Sequence, residues 1–333
     1  MVQRILFGTL AIAALLSIVL VDVIISEFAG RQDGALWELL QHGSAIPVAA
    51  AVATAIGCAE LHRLLAATGA APARGLGQVI TALLILSPWL SAGGVLGTDP
   101  AAVKGLYWQI IWLVAGVLGA AALLVRRGGT NGALRDFGAT LLPMIYLGFL
   151  ASFAIQLRCG RDLPGHTGAW LLVIVLLVIK ASDIGAYLVG STLGRRPLAR
   201  TISPGKTVEG LCGGTVASVV VSVLFASLYL VSPHDLKLPA FAAETVKEIG
   251  AVFLPTDQSN WAWRAVQAGI FGAILSLFAP IGDLLESCFK RDAAYKDSGA
   301  LIPTFGGILD LIDSPLVAVP VAWVLLSVVW GVG

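Results

Sequence analysis

Lys290 to Asp313 reads KRDAAYKDSGALIPTFGGILDLID, three cations and four carboxylates in a chain that is only 12% charged, with a hydrophobic run on either side. Just before it, in APIGDLLESCFKRD, Asp283, Glu286, Ser287 and Lys290 recur at i, i+3, i+4 and i+7, a spacing that lines one face of a helix. Asp310 and Asp313 stand three residues apart beyond Gly306 and Gly307, two glycines that permit a tight backbone or the close approach of a ligand. Carboxylates converging beside lysine and arginine do not suit a simple ion pathway. They suit a hard divalent cation bridging phosphate oxygens, with the cationic side chains neutralising the remaining charge. A snorkelling helix end would account for Lys290 and Arg291, but not for two carboxylates one or two turns deeper.

Two other segments carry charge of interest. In IKASDIGAYLVG, Lys180, Asp183 and Tyr187 share a helix face at i, i+3 and i+7. Ionisable groups inside an apolar segment cost about 2.5–3.5 kcal/mol each to insert, so they tend to mark a site, although Lys180 and Asp183 also neutralise one another. The stretch GRRPLARTISPGKTVEG at 194–210 gathers Arg195, Arg196, Arg200 and Lys206 around a turn that opens a helix at about Thr207. Arginines and a helix N-terminus both favour phosphate; a plain basic anchor at a membrane face is the alternative. Its GKT is not a Walker A motif, because Arg200 stands where that motif has its first glycine and no strand precedes it.

The elements that hold these residues are set by hydropathy. With 57% apolar residues and a mean hydropathy of +0.89, the chain is too hydrophobic for an ordinary soluble domain. Its apolar segments are long enough to cross a bilayer core of about 30 Å as helices. The expectation is an all-α, polytopic integral membrane protein; a closed barrel would need alternating segments of about ten residues. Nine spans are expected, at 5–25, 45–66, 76–96, 106–125, 137–157, 169–190, 207–231, 265–288 and 308–332. They divide into an N-terminal region, 1–135, and a catalytic region, 136–333, with loops 191–206 and 289–307.

Arg4 followed by Ile5 to Ile25 is too long for a secretion-signal core and lacks a small-residue cleavage site, so it is expected to remain as the first span. Trp261 and Trp263, late in the longest connection at 232–264, suit an interfacial belt. Cys58, Cys159, Cys212 and Cys288 lie far apart without C-x-x-C spacing and read as small apolar helix residues. With the N-terminus cytoplasmic, thirteen of the 21 lysines and arginines fall on the cytoplasmic side and seven opposite, Lys180 lying within a span. The positive-inside rule therefore expects the N-terminus in and the C-terminus out. Loops 191–206 and 289–307 then share the face where nucleotides are available.

The segment GDLLESCFKRDAAYKDSGALIPTFGGILDLIDS at 282–314 closely resembles the C-terminal signature of the phosphatidate cytidylyltransferases, or CDP-diacylglycerol synthases. The pattern S-x-x-K-R, four residues, K-D-x-G-x-x-x-P, then H-G-G-x-x-D-R-x-D is met by Ser287, Lys290, Arg291, Lys296, Asp297, Gly299, Pro303, Gly306, Gly307, Asp310 and Asp313. A D-x-G-A-Y-x-x-G element is matched by Asp183, Gly185, Ala186, Tyr187 and Gly190, and S-P-x-K-T-x-E-G by Ser203, Pro204, Lys206, Thr207, Glu209 and Gly210. The resemblance covers about 180–320 and rests on general hydropathy before that. Two positions depart from it: the family's His is Phe305, and the Arg between the aspartates is Leu311, which cannot replace a bidentate phosphate ligand.

The resemblance implies attack of a phosphatidate oxygen on the α-phosphorus of CTP, giving CDP-diacylglycerol and pyrophosphate with the help of Mg²⁺ or another divalent cation. Such a transfer needs positioning and charge neutralisation rather than a protein nucleophile. It further implies Asp283, Asp310 and Asp313 on the metal, Asp297 in support, and Lys290, Arg291 and Lys296 on triphosphate or lipid phosphate. Asp183, Tyr187, Ser203, Lys206, Ser287, Gly306 and Gly307 would shape the nucleotide side. CTP, a lipid phosphate and the bilayer are the expected partners, with no nucleic acid and with room for a homodimer. The expected place is the cell (inner) membrane, with the site facing the cytoplasm. Two alternatives stay open: a related CTP-using enzyme acting on a different lipid phosphate or a polyprenol, and a secondary transporter. Against the latter, the sequence shows no internal repeat and its charges cluster at one face rather than the midplane.

Overall fold

A chain this apolar can satisfy its backbone within a bilayer only as helices or a closed barrel, and it forms helices. The structure, a computed structural model, describes residues 2–96, 104–160, 167–227, 261–299 and 306–329. The helices are α1 (Val2–Ala29), the short α2 (Ala35–Leu40), α3 (Ala45–Ala67), α4 (Arg74–Ala92) and α5 (Lys104–Arg127). There follow α6 (Ala133–Arg158), α7 (Thr167–Leu193), α8 (Val208–Ser227), α9 (Trp261–Asp292) and α10 (Leu309–Val328). Among the described residues eight of these, α3 to α10, are long and apolar enough to cross a membrane. The protein is a polytopic helical membrane protein. The first expected span falls on α1. Pro303, Phe305, His166, His234 and most of the 232–264 connection lie outside the described residues.

Connections expected on one face do meet. Arg127 donates to the Ala71 carbonyl (2.7 Å) and the Ala71 N–H to Asp136 (2.8 Å), joining the α3–α4 and α5–α6 turns. At the other end Trp89 donates to the Leu39 carbonyl (3.2 Å). There Arg158 Nε lies 2.5 Å from Asp22 Oδ2, with both side chains almost wholly buried. Asp22 also accepts from the Ile46 N–H (3.0 Å), and Arg158 donates to Ser26 Oγ (2.6 Å), so the pair ties α1, α3 and α6 together. Burial, and then the Arg158 guanidinium, push the pKa of neighbouring His42 below the usual imidazole value.

Small residues let the helices approach closely where lipid gives no hydrophobic push. A Cβ on Gly185 of α7 would lie 2.7 Å from the Gly213 carbonyl of α8, and one on Gly214 would lie 2.8 Å from the Ser182 carbonyl. A Cβ on Gly282 of α9 would run into the Asp313 carbonyl of α10, so these two helices cross at the acidic residues. The main apolar core lies among α6, α7, α9 and α10, around Ile155, Ile174, Val178, Phe271, Leu275 and Ala318.

Three local features differ from expectation. Pro143 and Met144–Phe149 make α6 pass through a π-helical stretch, since proline removes one ladder donor. The 191–206 connection is not all turn: Pro197–Ala199 (β1) and Ser203–Thr207 (β2) pair antiparallel as the sole sheet among the described residues. GKT is thus part of a hairpin strand. Finally α9 runs from Trp261 to Asp292, about a turn beyond 265–288 at each end, so Lys290 and Arg291 are helical and favoured by the C-terminal dipole.

Candidate active site

The site is assembled where α9 ends, where α10 begins, and where the hairpin folds back. The hairpin is fixed by its own chemistry. Glu209 Oε2 accepts from the Arg195 and Arg196 N–H groups (3.0 and 3.1 Å), and Thr207 Oγ1 caps α8 by accepting from the Gly210 N–H (3.1 Å). This leaves Lys206 directed at α9, with its Nζ 2.7 Å from Asp283 Oδ2 and 3.3 Å from the Pro280 carbonyl.

On α9 the helical stripe behaves as its spacing requires. Ser287 Oγ approaches Asp283 Oδ1 (3.4 Å), and Lys290 Nζ donates to Glu286 Oε2 (2.8 Å). Lys290 also donates to Asp310 Oδ1 (2.5 Å), so one ammonium joins α9 to α10. The other oxygen of Asp310 is fully engaged. It accepts from the Ser298 N–H (3.0 Å), the Ser298 hydroxyl (2.6 Å) and the Gly307 N–H (2.8 Å).

The chain between the two helices turns by a Schellman arrangement, with Ala294 N–H to Arg291 O (3.1 Å) and Tyr295 N–H to Lys290 O (2.8 Å). Ala294 there has φ 57°, where glycine is usual. Gly306 has φ 96°, and a Cβ on it would lie 2.6 Å from Asp310 Oδ2. Both reasons expected for a glycine, backbone freedom and close approach, hold at that position.

Asp283, Glu286 and Asp313 each offer a carboxylate oxygen, and these oxygens lie within 4.8 Å of one another. Glu286 is fully buried, and its Oε1 has no hydrogen-bond partner among the described residues. An oxygen-only set with an unpartnered buried acceptor has the donor chemistry that fits a hard divalent cation. Asp310, grouped with Asp283 and Asp313 in the sequence reading, is instead engaged by Lys290, Ser298 and Gly307. Glu286, seen in the helical stripe but not assigned to the metal, offers the third carboxylate oxygen of this group.

The remaining expected residues make no hydrogen bond to the acidic trio among the described residues. Arg291, at the end of α9, and Lys296 and Asp297, in the connection to α10, are exposed. Lys180 and Asp183 form their own pair on α7 (3.1 Å), partly exposed. Tyr187 is exposed and Ser203 half-buried; among the described residues neither is hydrogen-bonded to the acidic trio. Leu311 is half-buried in the first turn of α10 beside Asp310.

Sequence reading passed over Glu60 and Arg63 of α3, and Ser298. Glu60, buried, accepts from the Ile308 N–H (3.1 Å) and the Leu309 N–H (2.9 Å), and the Ser298 hydroxyl lies 3.3 Å from its Oε2. Arg63 donates to the Ser298 carbonyl and lies over the Tyr295 ring, 5.8 Å from its centroid. The signal was present, since Glu60 is an ionisable residue inside an expected span and meets the same criterion that singled out Lys180 and Asp183.

Comparison with known proteins places this geometry in context. Phosphatidate cytidylyltransferase 4, chloroplastic, of Arabidopsis thaliana is 32% identical over 303 residues, covering 83% of this chain and 66% of its own length. The phosphatidate cytidylyltransferase of Synechocystis is 29% identical over 307 residues, covering 86% and 89%. That of Bacillus subtilis is 35% identical over 192 residues, covering 58% and 59%. The chain thus spans just under two thirds of the plant relative. The model of the cytidylyltransferase family matches residues 2–329, which takes in α3 and the hairpin as well as the acidic crossing of α9 and α10, and the chain belongs to that family.

Proposed function

We propose that this protein transfers the cytidylyl group of CTP to phosphatidate, releasing pyrophosphate and forming CDP-diacylglycerol. The observation that carries the reading is the acidic trio Asp283, Glu286 and Asp313, flanked by Lys206 and Lys290, where two spans cross in a member of the cytidylyltransferase family. An oxygen of the lipid phosphate attacks the α-phosphorus of CTP and the bond to the β-phosphate oxygen breaks, so atoms and charge balance without a covalent enzyme intermediate.

A divalent cation, expected as Mg²⁺, fits Asp283, Glu286 and Asp313; when bound it would neutralise and polarise phosphate oxygens. Lys206 and Lys290, each held by carboxylates, supply positive charge toward the triphosphate and the leaving pyrophosphate. Lys290 is oriented by Glu286 and Asp310. Arg291 and Lys296, both exposed, complete the basic surface. The hairpin and the α9–α10 connection then face the cytoplasm of a cell (inner) membrane, where CTP enters from water and the acyl chains from the side. A homodimer would leave this site intact, since its residues come from one chain.

The test supplies the purified protein with labelled CTP, Mg²⁺ and a panel of lipid phosphates that includes phosphatidate and a polyprenyl phosphate. CDP-diacylglycerol and pyrophosphate in equal amounts are expected. Pyrophosphate formed only with another acceptor would reassign the lipid, and no product with any acceptor would overturn the reading.

A further inference from the structure

The carboxylate of Glu60 occupies a cradle made by two glycines of the α9–α10 connection. A Cβ on Gly299 would run into Glu60 Oε1 and lie 2.8 Å from Gly307 Cα. One on Gly307 would run into Glu60 Oε2 and Ser298 Oγ and lie 2.6 Å from Glu60 Cδ. Those two positions are held to glycine by close approach to Glu60, whereas Gly306 is set by its positive φ and its approach to Asp310. The cradle is polar and closed: the Ile308 and Leu309 N–H groups at the start of α10 donate to Glu60, and the Ser298 hydroxyl, whose one proton is shared with the nearer Asp310, lies 3.3 Å from it. A negative charge at a helix N-terminus is favourable, more so when buried.

From Glu60 the contacts continue without a break. The Ser298 hydroxyl lies within reach of both Glu60 Oε2 and Asp310 Oδ2, Asp310 Oδ1 accepts from Lys290, and Lys290 donates to Glu286 of the acidic trio. Arg63, one turn further along α3, holds the Ser298 carbonyl. α3 lies in the N-terminal region, outside the signature of the last spans.

We propose that Glu60 is a positioning residue for cytidylyl transfer, acting through Ser298 and Asp310 to set Lys290 against the acidic trio. It touches neither substrate nor cation. The inference deepens the function proposed above and rests on it.

The test uses the full-length protein in lipid nanodiscs, with wild type, Glu60→Gln, Glu60→Asp, Gly307→Ala and the double variant Glu60→Ala/Gly307→Ala compared with Glu60→Ala. Glu60→Gln keeps the shape but brings an amide N–H₂ toward backbone donors, so kcat is expected to fall by about 10²-fold, the scale of an ångström misplacement. KM for CTP should change much less, and Glu60→Asp should recover part of kcat. Amide hydrogen exchange across 293–299 and 306–310 should quicken in Glu60→Gln. Gly307→Ala should be severe in the wild type and mild in the Glu60→Ala background, where the added methyl has room.

A kcat for Glu60→Gln within about twofold of wild type, unchanged exchange at 306–310, or additive effects of Glu60→Ala and Gly307→Ala would each overturn the proposal. So would a variant that loses folded protein while its remaining fraction turns over normally, since that marks a purely structural role. If wild type forms no CDP-lipid, the functional reading fails, and the exchange results still decide whether Glu60 sets the connection.

Discussion

Lys206 Nζ lies 2.7 Å from Asp283 Oδ2, which ties the basic hairpin to the acidic trio. Both side chains are partly exposed, so the pair is open to exchange: phosphate can take the lysine while a cation takes the aspartate. Replacing Lys206 by Met should raise KM for CTP by about 10- to 100-fold, the range for losing a hydrogen bond to a charged group. Steady-state kinetics with CTP varied at saturating lipid checks this; an unchanged KM would remove Lys206 from the nucleotide side.

The acidic residues divide into two classes with different signatures. Asp283→Asn, Glu286→Gln and Asp313→Asn should each raise the half-saturating Mg²⁺ concentration and lower turnover by about 10²–10³-fold, as when a preorganised electrostatic group is lost. Asp310→Asn should lower turnover comparably without moving the Mg²⁺ dependence, since Asp310 holds Lys290 and the connection. Metal titrations of activity separate the classes. Near-normal turnover in any of the four would contradict its assignment.

Ala294 offers a stability test away from the reacting groups. An L-residue in the left-handed region costs about 1–2 kcal/mol, partly offset in glycine by greater chain entropy. Ala294→Gly is therefore expected to stabilise the protein by up to about 1 kcal/mol, read as a higher Tm in a thermal melt. A lowered Tm would show that the Ala294 methyl makes compensating contacts.

The Asp22–Arg158 pair should behave in the opposite way. Asp22 meets Ile46 at the start of α3, whereas Glu60 lies about 20 Å further along that helix. Asp22→Asn or Arg158→Met leaves one buried charge without its partner, at a cost of roughly 3–5 kcal/mol. Tm and folded yield should drop sharply while turnover per folded molecule stays near normal. A stable variant with impaired turnover would link this end of the bundle to the chemistry.

Much of this was legible in the sequence because bilayer thickness and helical spacing are strict. Hydropathy located the helices, and the i, i+3, i+4, i+7 stripe from Asp283 to Lys290 anticipated the 2.8 Å contact between Glu286 and Lys290. Partners across the bundle were not legible. That Asp310 faces Ser298 while Glu286 joins Asp283 and Asp313 depends on how α9 and α10 cross at Gly282, and spacing along one chain carries no crossing angle. Nor did the GKT segment announce a strand, because its pairing partner at 197–199 is only three residues long and carries a proline.

Glu60 and Ser298 are 238 residues apart in the chain. During synthesis α3 is made long before the connection that supplies its donors, so Glu60 waits in a half-built bundle without the partners it has in the folded protein. Its folded-state contacts form only when α9 and α10 arrive. Docking of the last two helices thus completes the earlier bundle and the reacting centre in one event, and a nascent chain halted before α10 lacks both.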